Sequence, residues 1–269
     1  MAAAEQLDLF SGSPGPDGRD FPYCSTGPVI ACNTLDDDRL LAATLNAGIR
    51  DTVALVAEAG RRRLAAAIPV LDALCRRFTG YGADRIVPEQ AAALGAIALI
   101  GGRDAAQTLV RLIAMRIVQG PCLRQAVAAA ARLGAKLPAG TVLELLRHDD
   151  PQIRADACRC TRIWPEAVPL LRDLLDDLHS DARKAAACAL ARMGRNEVRG
   201  LLVRYLREEP TAELVDAIAC VADEECAVLL GRLARAVPHL SEAAFDALHS
   251  IDHLGARAIA AALSADRPA

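Results

Sequence analysis

From Thr34 to the C-terminus, apolar residues return every three or four positions, the spacing of amphipathic helices, and almost no stretch alternates as a strand would. The pattern repeats. Residues 149–177 (DDPQIRADACRCTRIWPEAVPLLRDLLDD) and 179–209 (HSDARKAAACALARMGRNEVRGLLVRYLREE) share one layout. Each has a polar start, an arginine soon after, a helix of small residues, a breaker, and a second helix rich in Leu and Val. The same layout fits 121–149, 210–237 and 240–264. Breaks between paired helices fall near Gly101, Gly134, Pro165, Gly194, Asp223 and Gly255, gaps of 29 to 33 residues. That is the period of a helical-repeat array.

Within 149–177, Ile153, Ala157, Cys160 and Trp164 follow one helical stripe, and Ala157 and Ala186 occupy matching places. Small residues there let neighbouring helices approach closely. Asp150 and Asp181 precede their helices and are read as N-caps, with Thr34 or Asp36 in the same role for the first helix.

The motif Asp150-Pro151-x-x-Arg154, its partner Asp181-x-Arg183 and the periodic Ala/Leu helices resemble the HEAT-repeat family. The likeness is in particular to the short bacterial repeats also seen in phycobilisome-lyase-like proteins. The resemblance is good over 85–230 and looser elsewhere. It implies an all-α, right-handed α-solenoid of about six to seven HEAT-like pairs, a fold that binds more often than it catalyses. The expected division is a flexible, disordered tail over 1–33, an irregular helical cap over 34–87 and HEAT-like repeats over 88–269. Pro69 is expected to kink or split a cap helix.

Composition fits this picture. The chain is 53% hydrophobic but 3% aromatic, so its apolar mass is Ala, Leu, Val and Ile. No apolar stretch reaches membrane-spanning length, and the N-terminus lacks the layout of a secretory leader. Nine scattered cysteines without a CxxC pair read as small buried thiols, and a cytoplasmic setting is expected.

Charge is uneven. Residues 1–58 carry three basic and nine acidic side chains, 59–143 twelve and four, and 144–269 sixteen and twenty-one. The middle block, net +8, has two readings: a face for duplex DNA through Arg61, Arg62, Arg63, Arg76, Arg77, Arg103 and Arg111, or a solvated face paired with acidic neighbours. With only Phe78 and Tyr81 nearby, base stacking is not expected.

No catalytic signature stands out, and no cofactor or metal is expected. His249 and His253 have i, i+4 spacing but lack a third ligand. HEAT-like DNA glycosylases for alkylated bases use a cleft with Trp and a catalytic Asp. The single Trp here, Trp164, is read as core packing instead.

One segment names a partner. Gln6-Leu7-Asp8-Leu9-Phe10 matches all five positions of the bacterial sliding-clamp-binding motif, and a Gly/Pro/Ser-rich spacer follows it. The resemblance implies that Gln6 bonds at a sub-pocket rim, Leu7 and Asp8 lie along a groove, and Leu9 and Phe10 fill the apolar pocket of the clamp. The leading reading is therefore a non-enzymatic adaptor tethered to the clamp, whose basic first half touches DNA or a partner in replication, repair or a mobile element. The alternatives are a general interaction scaffold unrelated to DNA and a HEAT-like DNA-repair glycosylase.

Overall fold

The computed structural model describes residues 32–77 and 85–265. Those residues form fifteen α-helices joined by short turns, with no strand among them. In chain order they are α1 (Asp37–Leu45), α2 (Ile49–Arg61), α3 (Ile68–Arg77), α4 (Pro88–Ile100), α5 (Gly102–Ala114), α6 (Gly120–Arg132), α7 (Ala139–Leu145) and α8 (Pro151–Arg159). Then follow α9 (Val168–Asp173), α10 (Ser180–Arg192), α11 (Arg199–Glu208), α12 (Ala212–Ala219), α13 (Glu224–Ala236), α14 (Ser241–Ser250) and α15 (Leu254–Ala265). No described helix is long and apolar enough to cross a membrane.

The even-numbered helices stack in one layer, from α2 on α4 through to α12 on α14. Each odd-numbered helix from α3 to α13 packs on the even helix that follows it, as α3 does on α4 and α13 on α14. The result is a HEAT-repeat-like stack of seven pairs, α2/α3 to α14/α15, with α1 ahead of them. The segment read as an irregular cap thus supplies a pair that continues the stack, and only α1 falls outside the pairing.

Local chemistry sets the helix ends. Asp36, Asp150, Thr211 and Asp223 cap α1, α8, α12 and α13 by accepting the backbone N–H groups of Arg39, Gln152, Leu214 and Cys226. Four helices close alike, through a residue in the left-handed region. After α2, for example, the N–H of Leu64 bonds the carbonyl of Ala59 and that of Arg63 bonds Gly60. The left-handed residue is glycine after α6 and α10, but arginine after α2 (Arg63, φ 53°) and α5 (Arg116, φ 54°).

Three sequence expectations shift by a turn. Asp181 sits inside the first turn of α10 and does not cap it; His179 holds that position, and Asp177 accepts its N–H at 2.8 Å. Gly255 lies within α15, so the last break falls at residues 251–253. Pro69 does not kink a running helix. The chain breaks at residues 62–64, and Pro69 lies in the first turn of α3, where its missing N–H costs nothing.

The Asp-Pro-x-x-Arg motif proves architectural. Arg154 turns back onto the carbonyls of His148 and Asp149 and forks onto Asp177 of the next turn at 2.8 and 3.0 Å. Its guanidinium holds the Asp177 carboxyl below the usual range. Arg183 repeats the first half of this, binding the carbonyls of Asp177 and Leu178. At the centre, α10 buries Ala182, Ala185 to Ala187, Cys188, Ala189, Leu190 and Ala191, because it is enclosed by α8, α9, α11 and α12.

Candidate functional site

The pairing gives the stack two edges: turns within pairs on one, turns between pairs on the other. Successive within-pair turns, from α2/α3 to α10/α11, each carry a cation at or beside the turn: Arg63, Arg103, Lys136, Arg162 and Arg195. Carboxylates of the following helices, Asp104, Glu166 and Glu197, lie on the same edge.

The arginines of the basic block divide between the edges. Arg61, Arg62, Arg63 and Arg103 lie at helix ends on the within-pair edge, and Arg76, Arg77 and Arg111 at helix ends on the other. A helix of this length separates the groups by about 15–20 Å. Most already hold acidic neighbours. Arg61 forks onto Glu58 at 2.8 and 2.7 Å, and Arg76 binds Asp72, which also lies 3.4 Å from Arg111.

Arg62 is not available to a phosphate. Its guanidinium donates to Glu58, Asp37 and the carbonyls of Cys32, Asn33 and Leu35, which ties the start of the described chain to α2. Arg61 and Arg62 together hold Glu58 down from its usual 4.5 to about 2. Arg63 and Arg103 are exposed and make no ion pair among the described residues.

The within-pair edge also holds a cleft of about 470 Å³ between the turns of three successive pairs. Its apolar wall is Ile163, Trp164 and Met193, and its cations are Lys136, Arg162 and Arg192. Trp164 was expected in the stripe of α8, but that helix ends at Arg159. Proline follows Trp164 and keeps its backbone extended (φ −119°, ψ 119°), which carries the indole out to the cleft, half-buried. Ile153, Ala157 and Cys160 of that stripe are buried in the core, and Trp164, partly buried, packs against the core's edge while also facing the cleft.

Beneath the cleft runs a charged network. Lys136 Nζ donates to the Arg159 carbonyl at 2.8 Å. Arg159 holds Asp156 in its own helix and Glu213 of α12. Arg192 approaches the same Glu213 at 3.6 Å. Burial and then the nearby Arg192 charge lower the Lys136 ammonium from its ordinary value.

The other candidates resolve simply. Eight described cysteines are free and six are buried; burial pushes Cys75, Cys160 and Cys188 up to about 12, far from thiolate chemistry. Cys24 lies outside the described residues. His249 ends α14 and His253 lies in the turn after it, so the two do not share a helix. No group of three His, Cys, Asp or Glu side chains is placed to hold a metal among the described residues. Gln6 to Phe10 lie outside the described residues.

Comparison with known proteins agrees with the architecture. The family model for HEAT repeats matches residues 139–222. Among solved structures, the complex of CpcE and CpcF of phycocyanin lyase from Nostoc sp. PCC7120 is similar at a TM-score of 0.57 and 16% identity, covering 93% of this chain and 99% of that one. An engineered protein aligns at a TM-score of 0.36 and 18% identity over 81% of this chain and 97% of its own, too low to bear on the fold. No curated protein matches the sequence. The HEAT-repeat match and the Nostoc structure agree on one thing, a fold of stacked HEAT-like helical pairs.

Proposed function

We propose that this protein is a non-enzymatic adaptor. Its helical stack holds a partner protein along the within-pair edge, and Gln6, Leu7, Asp8, Leu9 and Phe10 hold the bacterial DNA sliding clamp. The observation that carries the first half is the cleft spanning three pairs, where apolar wall and cations meet on one open edge. Stacked repeats suit this work, since each pair adds surface without changing its neighbours. The Nostoc structure is a complex of two proteins, and a partner on the stack is the parallel expectation here.

The clamp half rests on the sequence of residues 6–10, where two adjacent apolar anchors would supply most of the binding energy. Titrating purified clamp with the wild type and with Leu9→Ala/Phe10→Ala tests it. The wild type should bind and the double variant should lose at least about tenfold in affinity. Equal binding by both, or none by either, ends this reading.

Duplex DNA is the second reading, favoured by the row of cations on the within-pair edge. Affinity for a short duplex should then fall steeply between low and physiological salt. A flat salt response leaves the row as a solvated edge balanced by Asp104, Glu166 and Glu197.

A further inference from the structure

The cleft has a composition of its own. Overall the chain is net −3, yet the titratable side chains lining this cleft are Lys136, Arg162, Arg192 and the buried thiol of Cys158, and no carboxylate lines it among the described residues. Its wall is the only tryptophan of the chain, together with Met193 and Ile163, which is 73% exposed. An apolar wall ringed by like charges in a half-open cleft is incomplete alone. The wall would gain from burial, and the cations from a counter-charge.

The cleft is also preformed. Pro165 holds Trp164, Thr161 Oγ1 bonds the Ala157 carbonyl at 2.8 Å, and the floor residues Cys158 and Ala189 are buried. Of the three cations, Lys136 and Arg192 are tied into the network below, and burial, then the neighbouring Arg192 charge, disfavour the charged form of Lys136. Arg162 is exposed and makes no ion pair among the described residues.

We infer that this cleft, bounded by Lys136, Arg162, Ile163, Trp164, Arg192 and Met193, is a docking site for an acidic segment of a partner protein that carries one large apolar side chain. The apolar side chain lies against Trp164, and flanking carboxylates meet Arg162 and Lys136. Duplex DNA has the charge but no apolar group to cover the wall. A small carboxylate would leave Ile163 and the open side of the cleft uncovered. This inference rests on the adaptor reading and specifies where its stack binds.

Trp164, as the sole tryptophan, reports on its own site. The full chain is titrated with the blocked peptides DDFDD, DDADD and KKFKK and with a 20-base-pair duplex, following intrinsic fluorescence. DDFDD should change the Trp164 emission saturably, with DDADD and KKFKK each at least about tenfold weaker. Arg162→Glu alters an exposed turn residue and should weaken DDFDD about tenfold or more with an unchanged circular dichroism spectrum. Met193→Ala, read by the same fluorescence, should weaken DDFDD and leave KKFKK as weak as on the wild type.

No saturable change with DDFDD, equal response to KKFKK, full affinity in Arg162→Glu, or displacement of DDFDD by the duplex at equal concentration would each overturn the proposal. So would acetate or phenylacetate binding as tightly as the peptide. The clamp titration is repeated on Arg162→Glu. Arg162→Glu should keep clamp binding. Clamp binding by a wild type that gives no saturable response to DDFDD removes only this site, whereas absence of clamp binding by the wild type removes the clamp half of the adaptor reading and leaves the cleft to be judged by the peptides.

Discussion

Arg61 and Arg62 show how one residue type serves two ends. In the sequence, three successive arginines look like a phosphate-binding patch. In the folded chain two of them converge on Glu58, three and four residues back along α2, and Arg62 also pins the chain at Cys32, Asn33 and Leu35. A consequence can be read by titration. Glu58 is held from 4.5 down to about 2, chiefly by bonds from Arg61 and then Arg62. A folded-state value below the unfolded one contributes stability above pH 4.5, which fades as the pH falls toward 2. Glu58→Gln should therefore be less stable than wild type at pH 7, with the two urea curves converging between pH 4.5 and 2. A constant gap across that range would refute the assignment. Residue types were legible here, but their pairing was not, because helix length and turn position decide whether an arginine faces a carboxylate or water.

Among the elements, the helices and most of their breaks were legible, since apolar periodicity, Pro at first turns and Asp caps act within a few residues. Trp164 escaped this logic: the stripe pattern runs on through it, but α8 stops five residues earlier and Pro165 redirects the chain. Helix contact distance was the least visible feature. Gly60, in the last turn of α2, lies so close to α4 that an added Cβ would sit 2.8 Å from the Ala96 Cα, whereas nothing lies within 4 Å at Gly200 in α11. Alanine normally favours a helix by about 1 kcal/mol over glycine. Gly60→Ala should nevertheless destabilise by about 1–2 kcal/mol, since backbone must move, and Gly200→Ala should be neutral or stabilising. Thermal melts of the two variants check this; a Gly60→Ala variant as stable as wild type would show that α2 and α4 separate freely.

At the scale of the whole stack, each pair is supported only by its neighbours, so stability should vary along it. Amide exchange should be slowest in α8 and α10, which have pairs on both sides, and fastest in α1 and α15. Uniform exchange across all fifteen helices would mean that the stack opens as one unit, against nearest-neighbour coupling. The division of labour between sequence and fold has a physical basis. Helices, caps, repeat period and repeat class were determined by the sequence itself, because propensity, capping and amphipathic spacing are local. The match at Gln6 to Phe10 is likewise a property of sequence alone. Only the tertiary structure decided which arginines are occupied by Glu58, Asp72 and Asp37. It alone brought Lys136, Arg162, Trp164 and Arg192 from three separate pairs to one cleft. Those groupings depend on how helices stack at distances of tens of residues along the chain, which a period of about thirty residues announces but does not place in space.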